Sequence, residues 1–151
     1  MECILEREKC AEIALHCACF NFRKASRAVT QLFDATLAPS GMRSTQFTVL
    51  IGLGLVESAT VSELAEMLAI DRTTMSRTLK PLLKKGYIGP VSGADRRTRA
   101  VALQKKGRQT LASMLPLWER AQAQVVGKFG SDRWSALRGD LDAAVLLAKE
   151  K

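Results

Sequence analysis

The first 37 residues contain neither glycine nor proline, and apolar or small side chains recur at Ile13, Cys17, Phe20, Ala28, Leu32 and Thr36. That near-helical period predicts one long helix, ended by Pro39-Ser40-Gly41. Thr45 to Val56 is a second, mostly apolar run. Gly52 and Gly54 each cost a helix about 1 kcal/mol relative to alanine and would also suit a strand. The length of the run and its helical neighbours favour a helix. Thr60-Val-Ser-Glu63 has the form of a capping box, opening a short helix through about Leu68. Ala69-Ile70 turns the chain, and Asp71 is a good N-cap for the next helix. That helix is expected to turn Met75, Leu79, Leu82 and Leu83 inward and Arg72, Thr73, Ser76, Arg77 and Lys80 outward. Pro81 predicts a kink or a tightened last turn, and Lys84-Lys85-Gly86 closes the helix with cations and a glycine C-cap.

Two short β-leaning stretches follow, Tyr87 to Val91 and Arg99 to Leu103, flanking a glycine-bearing basic turn over 92–98. They read as a hairpin. Gln104 to Phe129 predicts a long helix with Leu111, Leu115, Trp118, Val125 and Phe129 on one face and a bend near Pro116. Ser131 to Lys151 predicts a final helix with Trp134, Leu137, Leu141, Val145 and Ala148 on a stripe. The expected fold is therefore mostly α with one small β-hairpin. Residues 1–44 form an N-terminal helical unit, 45–107 a central unit and 108–151 a C-terminal helical unit.

A chain of 151 residues with 47% apolar and 25% charged side chains is the size and composition of one ordinary globular domain. The longest apolar run, Val49 to Val56, is eight residues with two glycines, too short to span a bilayer. The charged N-terminus is unlike a signal peptide, so a cytoplasmic protein with free thiols is expected, and no membrane partner.

Charge changes the picture more. The net +8 is concentrated: residues 60–110 hold eleven basic and four acidic side chains, while residues 1–59 balance six against six. A focused positive field points to a polyanion. Two short helices, a tight turn and a basic hairpin make a winged helix-turn-helix. A helix about 10–12 Å across fits the major groove, where base edges display a readable donor and acceptor pattern. Its outer face then needs short hydroxyls and long cations, which Arg72, Thr73, Thr74, Ser76, Arg77 and Lys80 supply. Arg96, Arg97 and Arg99 at the hairpin suit a minor groove or backbone, with Asp95 bracing Arg97 or Arg99. Double-stranded DNA is the expected partner. A single tyrosine among few aromatics argues against a base-stacking RNA platform.

Ser62-Glu-Leu-Ala65, Asp71-Arg-Thr-Thr-Met-Ser-Arg77, Leu82-x-x-x-Gly86, Asp95-Arg-Arg97 and Leu103-x-x-x-Gly107 together resemble the MarR family of bacterial transcription regulators. The resemblance covers roughly residues 25–150 and is specific through 60–107. It implies a homodimer with interlocking N- and C-terminal dimerisation helices and two winged lobes on a palindromic operator, usually repressing a nearby gene. It also implies an aromatic-acid pocket between the dimer helices and the winged lobe, for which Phe20, Phe47 and Trp118 are candidate walls or simply core. Two positions depart from the pattern. Ala69 stands where the turn often has glycine, and Gln104 where a threonine usually caps the next helix. Independently of the resemblance, the many apolar positions of the last two helices exceed what a minimal winged domain can bury, which calls for a partner copy.

Cys3, Cys10 and Cys17 are spaced by seven, with His16 and Cys19 close by. Thiols seven apart on one helix lie about 10 Å apart along its axis, too far to share one zinc ion. On that helix only His16 and Cys19 could chelate together. Three readings stay open: half-buried core thiols, a redox sensor acting through Cys10, Cys17 or Cys19, and a metal sensor including His16. No cofactor is expected. His16 and Cys17 are neighbours that cannot face each other on a helix. With no phosphate-cradling loop or oxyanion cradle either, an enzyme is not expected.

Overall fold

A computed structural model describes residues 6–91 and 99–147. The helices are α1 (Arg7–His16), α2 (Ala18–Leu37), α3 (Ser44–Gly54), α4 (Val61–Met67), α5 (Arg72–Lys84), α6 (Lys105–Phe129) and α7 (Ser131–Leu146). Strands β1 (Ile88–Pro90) and β2 (Val101–Leu103) pair antiparallel, Ile88 opposite Leu103 and Pro90 opposite Val101.

The expected single N-terminal helix is in fact two. Cys17 adopts an extended backbone (φ −69°, ψ 113°), ends α1 and caps α2, its sulfur accepting the Phe20 N–H at 3.5 Å. The Asn21 amide secures the break by donating to the carbonyls of Ala14, Leu15 and Cys17 at 2.9–3.2 Å. A polar side chain reaching back over the helix end thus replaces the glycine or proline that usually marks one.

The apolar run after Pro39 is helical, as its length suggested, and ends at Gly54. Asp34 on α2 accepts the Ser44 N–H at 2.7 Å, tying α2 to the start of α3. The Thr60–Glu63 capping box is formed in both directions, at 3.2 and 2.7 Å. The core gathers around Leu37, Leu50, Leu53, Leu64, Met75 and Leu82, all essentially inaccessible, with Met114 of α6 closing it from outside the winged lobe. Leu83 is a correction: it is 40% exposed. At about 100° per residue it lies roughly 80° around the helix from Met75, at the edge of the buried face.

Ala59, which carries no strand signal of its own, exchanges two backbone hydrogen bonds with Val101 at 2.9 and 3.0 Å. This bridge sits on the edge of β2 away from β1 and fastens the hairpin to the start of α4. Helix α6 runs unbroken through Pro116.

Candidate nucleic-acid interface

The start of α5 is fixed by Asp71, whose carboxylate accepts the Thr74 N–H at 2.9 Å. Hydrogen bonds from the Thr74 hydroxyl and amide hold the Asp71 carboxyl below the ordinary carboxylate range. With Met75, Leu79 and Leu82 buried, Arg72, Thr73, Thr74, Ser76, Arg77 and Lys80 are all left exposed. The Ser76 hydroxyl donates to the Arg72 carbonyl at 2.9 Å, which leaves its oxygen lone pairs outward as an acceptor. Among the described residues, Arg72, Arg77, Lys80 and Arg99 form no ion pair; the one pair present, Lys9 with Glu12, lies on α1. Their charge is therefore not neutralised by that part of the chain.

The far end of α5 is held by α6. Gly86 has φ +72°, the left-handed C-cap conformation expected after Lys85. The Lys106 ammonium donates to the Lys85 carbonyl at 2.7 Å and sits 4.6 Å from the Tyr87 ring centroid. The Tyr87 carbonyl accepts the Gln104 N–H at 3.0 Å, and a Cβ at Gly107 would collide with that same carbonyl oxygen. A glycine at the end of the Leu103-x-x-x-Gly107 motif is what lets α6 pack this closely against the segment that follows α5. From sequence alone Lys106 reads as one more lysine in a basic stretch.

Both departures at the turn and cap have structural counterparts. Ala69 sits at φ +51°, where a Cβ is strained. Gln104 is the N-cap of α6 and makes no side-chain cap bond. Of the hairpin cations, Arg99 lies exposed at the base of the wing, whereas Asp95, Arg96 and Arg97 lie outside the described residues.

A cavity of about 290 Å³ opens between α2, α3 and α6, with Phe33, Phe47 and Trp118 among its walls. Phe47 and Trp118 are brought together as expected. Phe20 is not among these walls: it sits on the first turn of α2, 46% exposed, and Phe33, more than three turns further along the helix, takes the place assigned to it. A larger apolar groove of about 560 Å³ runs between α2, α6 and α7, over Phe22, Val125, Trp134 and Leu141.

The thiols are dispersed. Cys10 is exposed on α1, Cys17 is half-buried at the break and Cys19 is exposed on α2. The His16–Cys19 chelate required one continuous helix, and the break at Cys17 removes that premise. Among the described residues no three His, Cys, Asp or Glu side chains gather closely enough to hold a metal ion.

Residues 40–98 match the family model described as MarR family. The chain is 29% identical over 83 residues to the HTH-type transcriptional regulator YwoH of Bacillus subtilis, covering 55% of this chain and 61% of that protein. It spans about three fifths of the length of the first curated relatives it matches. Among solved structures, the transcriptional regulator MosR of M. tuberculosis, in complex with DNA, superposes with a TM-score of 0.79 at 36% identity, over 89% of this chain and 97% of that one. The transcriptional repressor CouR, bound to a 23-mer DNA duplex, gives 0.78 at 26% identity, over 93% and 98%. A winged helix-turn-helix with this motif order, matched along nearly the whole of a regulator more than one third identical, places the chain in the MarR family, whose members are DNA-binding transcriptional regulators rather than enzymes.

Proposed function

We propose that this chain is a transcriptional repressor that binds a palindromic operator as a homodimer. The observation that carries the reading is the outer face of α5: six exposed hydroxyl and cationic side chains over a fully apolar inner face, on a helix capped firmly at both ends. Arg72, Thr73, Thr74, Ser76, Arg77 and Lys80 enter the major groove, and Asp95, Arg96, Arg97 and Arg99 belong to the wing that tracks the adjacent backbone or minor groove. The DNA complexes of MosR and CouR support the partner. Residues 45–107 then form the reading unit and residues 1–44 and 108–151 the dimerisation units, which would set two recognition helices about 34–36 Å apart on one face of the duplex.

The test is a selection of bound sequences from random duplexes followed by titration of two variants. Arg77→Ala should cost about 1–3 kcal/mol on the selected site and blur base preference, as loss of a bidentate base contact does. Arg97→Ala should weaken binding to all duplexes alike, as loss of a phosphate contact does. Unchanged titrations for both would sink the assignment of the reading face.

Release from DNA is assigned to a small aromatic ligand in the cavity walled by Phe47 and Trp118. A second reading, release by thiol chemistry, is favoured by Cys17, whose sulfur is itself the cap at the α1–α2 junction. Under that reading peroxide weakens DNA binding of the native chain but not of Cys17→Ser, which keeps a capping oxygen. Equal sensitivity of the two proteins would exclude Cys17 as the sensor.

A further inference from the structure

We infer that the DNA-binding surface continues past the reading face onto a cationic corner of Lys84, Lys85 and Lys105, which meets the phosphate backbone beside the groove; the inference rests on the DNA-binding reading above. At about 100° per residue, Lys84 falls within about 20° of both Thr73 and Arg77 around α5, so it prolongs the outward stripe. It is exposed. Along the helix axis it lies about 10 Å beyond Arg77. A recognition helix meets base edges with its N-terminal residues, and the major groove is only about 12 Å wide. A cation so far along the stripe is carried past the base edges toward the sugar–phosphate backbone.

The second element of the corner is the start of α6. The Lys106 ammonium donates to the Lys85 carbonyl at 2.7 Å and lies over the Tyr87 ring, which sets the first turn of α6 against the end of α5. Lys106 is committed to that contact. Lys85 and Lys105 are exposed, and among the described residues neither they nor Lys84 form an ion pair. Lys105 stands where a helix disfavours it. The first turn of α6 holds no acidic residue, its N-cap Gln104 makes no side-chain cap bond, and a cation there opposes the helix dipole. Lys84, in the last turn of α5, is favoured by the same dipole effect. Helix stability thus accounts for Lys84 but not for Lys105, whereas an anionic partner accounts for both. From Arg72 to Trp118 the chain carries eleven basic side chains and one acidic one, Asp95, so the corner extends the field of the reading face. Arg108, the next cation of α6, shares a cavity with the Glu57 carboxylate and is not part of the corner. Lysines supply point charges without a planar fork, which suits phosphate rather than base edges.

The test measures binding to the selected duplex and to a scrambled duplex of equal length across a salt series. The double variant Lys84→Gln, Lys105→Gln is expected to lose affinity for both duplexes by the same factor. Its log–log salt slope should be shallower by about 0.9 for each lysine removed, or about 3.6 in the proposed dimer. Lys84→Arg with Lys105→Arg should keep the native slope. Lys105→Gln alone is expected to hold or raise the melting temperature, because it removes a cation from the α6 N-terminus. An unchanged slope in the double variant, a loss confined to the selected duplex, or a melting temperature lowered by Lys105→Gln overturns the inference while leaving the reading face of α5 standing. A native chain that binds neither duplex overturns both.

Discussion

Ala69 shows how a single Cβ is felt in this fold. At φ +51° it occupies backbone space that costs an L-residue about 1–2 kcal/mol and glycine nothing. Ala69→Gly is expected to stabilise the chain by about 1 kcal/mol, raising the melting temperature by about 2–4 °C. A scanning calorimetry comparison checks it, and an unchanged or lowered midpoint would show that the turn relaxes around alanine without strain. Asp34, Glu63 and Asp71 form a second set of local devices, each with its carboxylate at a helix N-terminus, that of Asp34 reaching from α2 to the start of α3. Their carboxyls are all lowered, by the Ser44 amide, the Thr60 amide and the Thr74 hydroxyl respectively. Because the folded chain binds these protons more weakly than the unfolded one, their contribution is complete above the ordinary carboxylate range and is lost as pH falls through the lowered values. Urea midpoints should thus be flat from pH 7 to about 5 and drop below about pH 4, with a smaller drop in Asp34→Asn.

At the level of elements, what sequence reveals and what it conceals divides along local and non-local lines. The Thr60–Glu63 box, the Asp71 cap and the left-handed Gly86 are written in four or five consecutive residues, and each appears in the structure as expected. The break at Cys17 was concealed because cysteine is a weak cap and the Asn21 amide that secures it acts six and seven residues away. Ala59 was concealed because its partner Val101 is more than forty residues along the chain. The outer face of α5 was legible from helical period alone, but the Lys106–Lys85 contact that steadies its far end was not. Gly107→Ala is the corresponding test. The added methyl cannot be accommodated without moving the Tyr87 carbonyl, so a loss of about 1–3 kcal/mol is expected, together with weakened DNA binding. Retained stability with normal DNA affinity would mean that α6 does not set the pose of the recognition helix.

At the scale of the whole molecule, the described residues leave much apolar surface open. Helices α1 and α7 bury no residue fully, and Leu15, Phe22, Leu141, Val145, Leu146 and Leu147 stand from 36% to 71% exposed. Apolar surface of this extent on α1, α2 and the α7 end of the chain supports the proposed interface with a second copy. Sedimentation is expected to give a dimer, and Leu141→Glu, at the edge of the groove shared with Trp134, to shift it toward monomer while leaving helix content intact. A monomeric native chain would contradict the palindromic reading. Operator affinity should also fall steeply with salt, with a log–log slope near −0.9 for each phosphate contacted.

Helix α6 reaches from the grip on Tyr87 at one end to the apolar groove at the other without interruption. Its 25 residues make a rod about 37 Å long. A tilt of about 10° at the groove carries the opposite tip through about 6 Å, half the width of a major groove. Pro116, which offers no amide to the Ala112 carbonyl, is the softest joint along that rod. In the dimer proposed above, a ligand wedged between this rod and α3 is therefore expected to change the distance between the two recognition helices and so to release the duplex without approaching a single base.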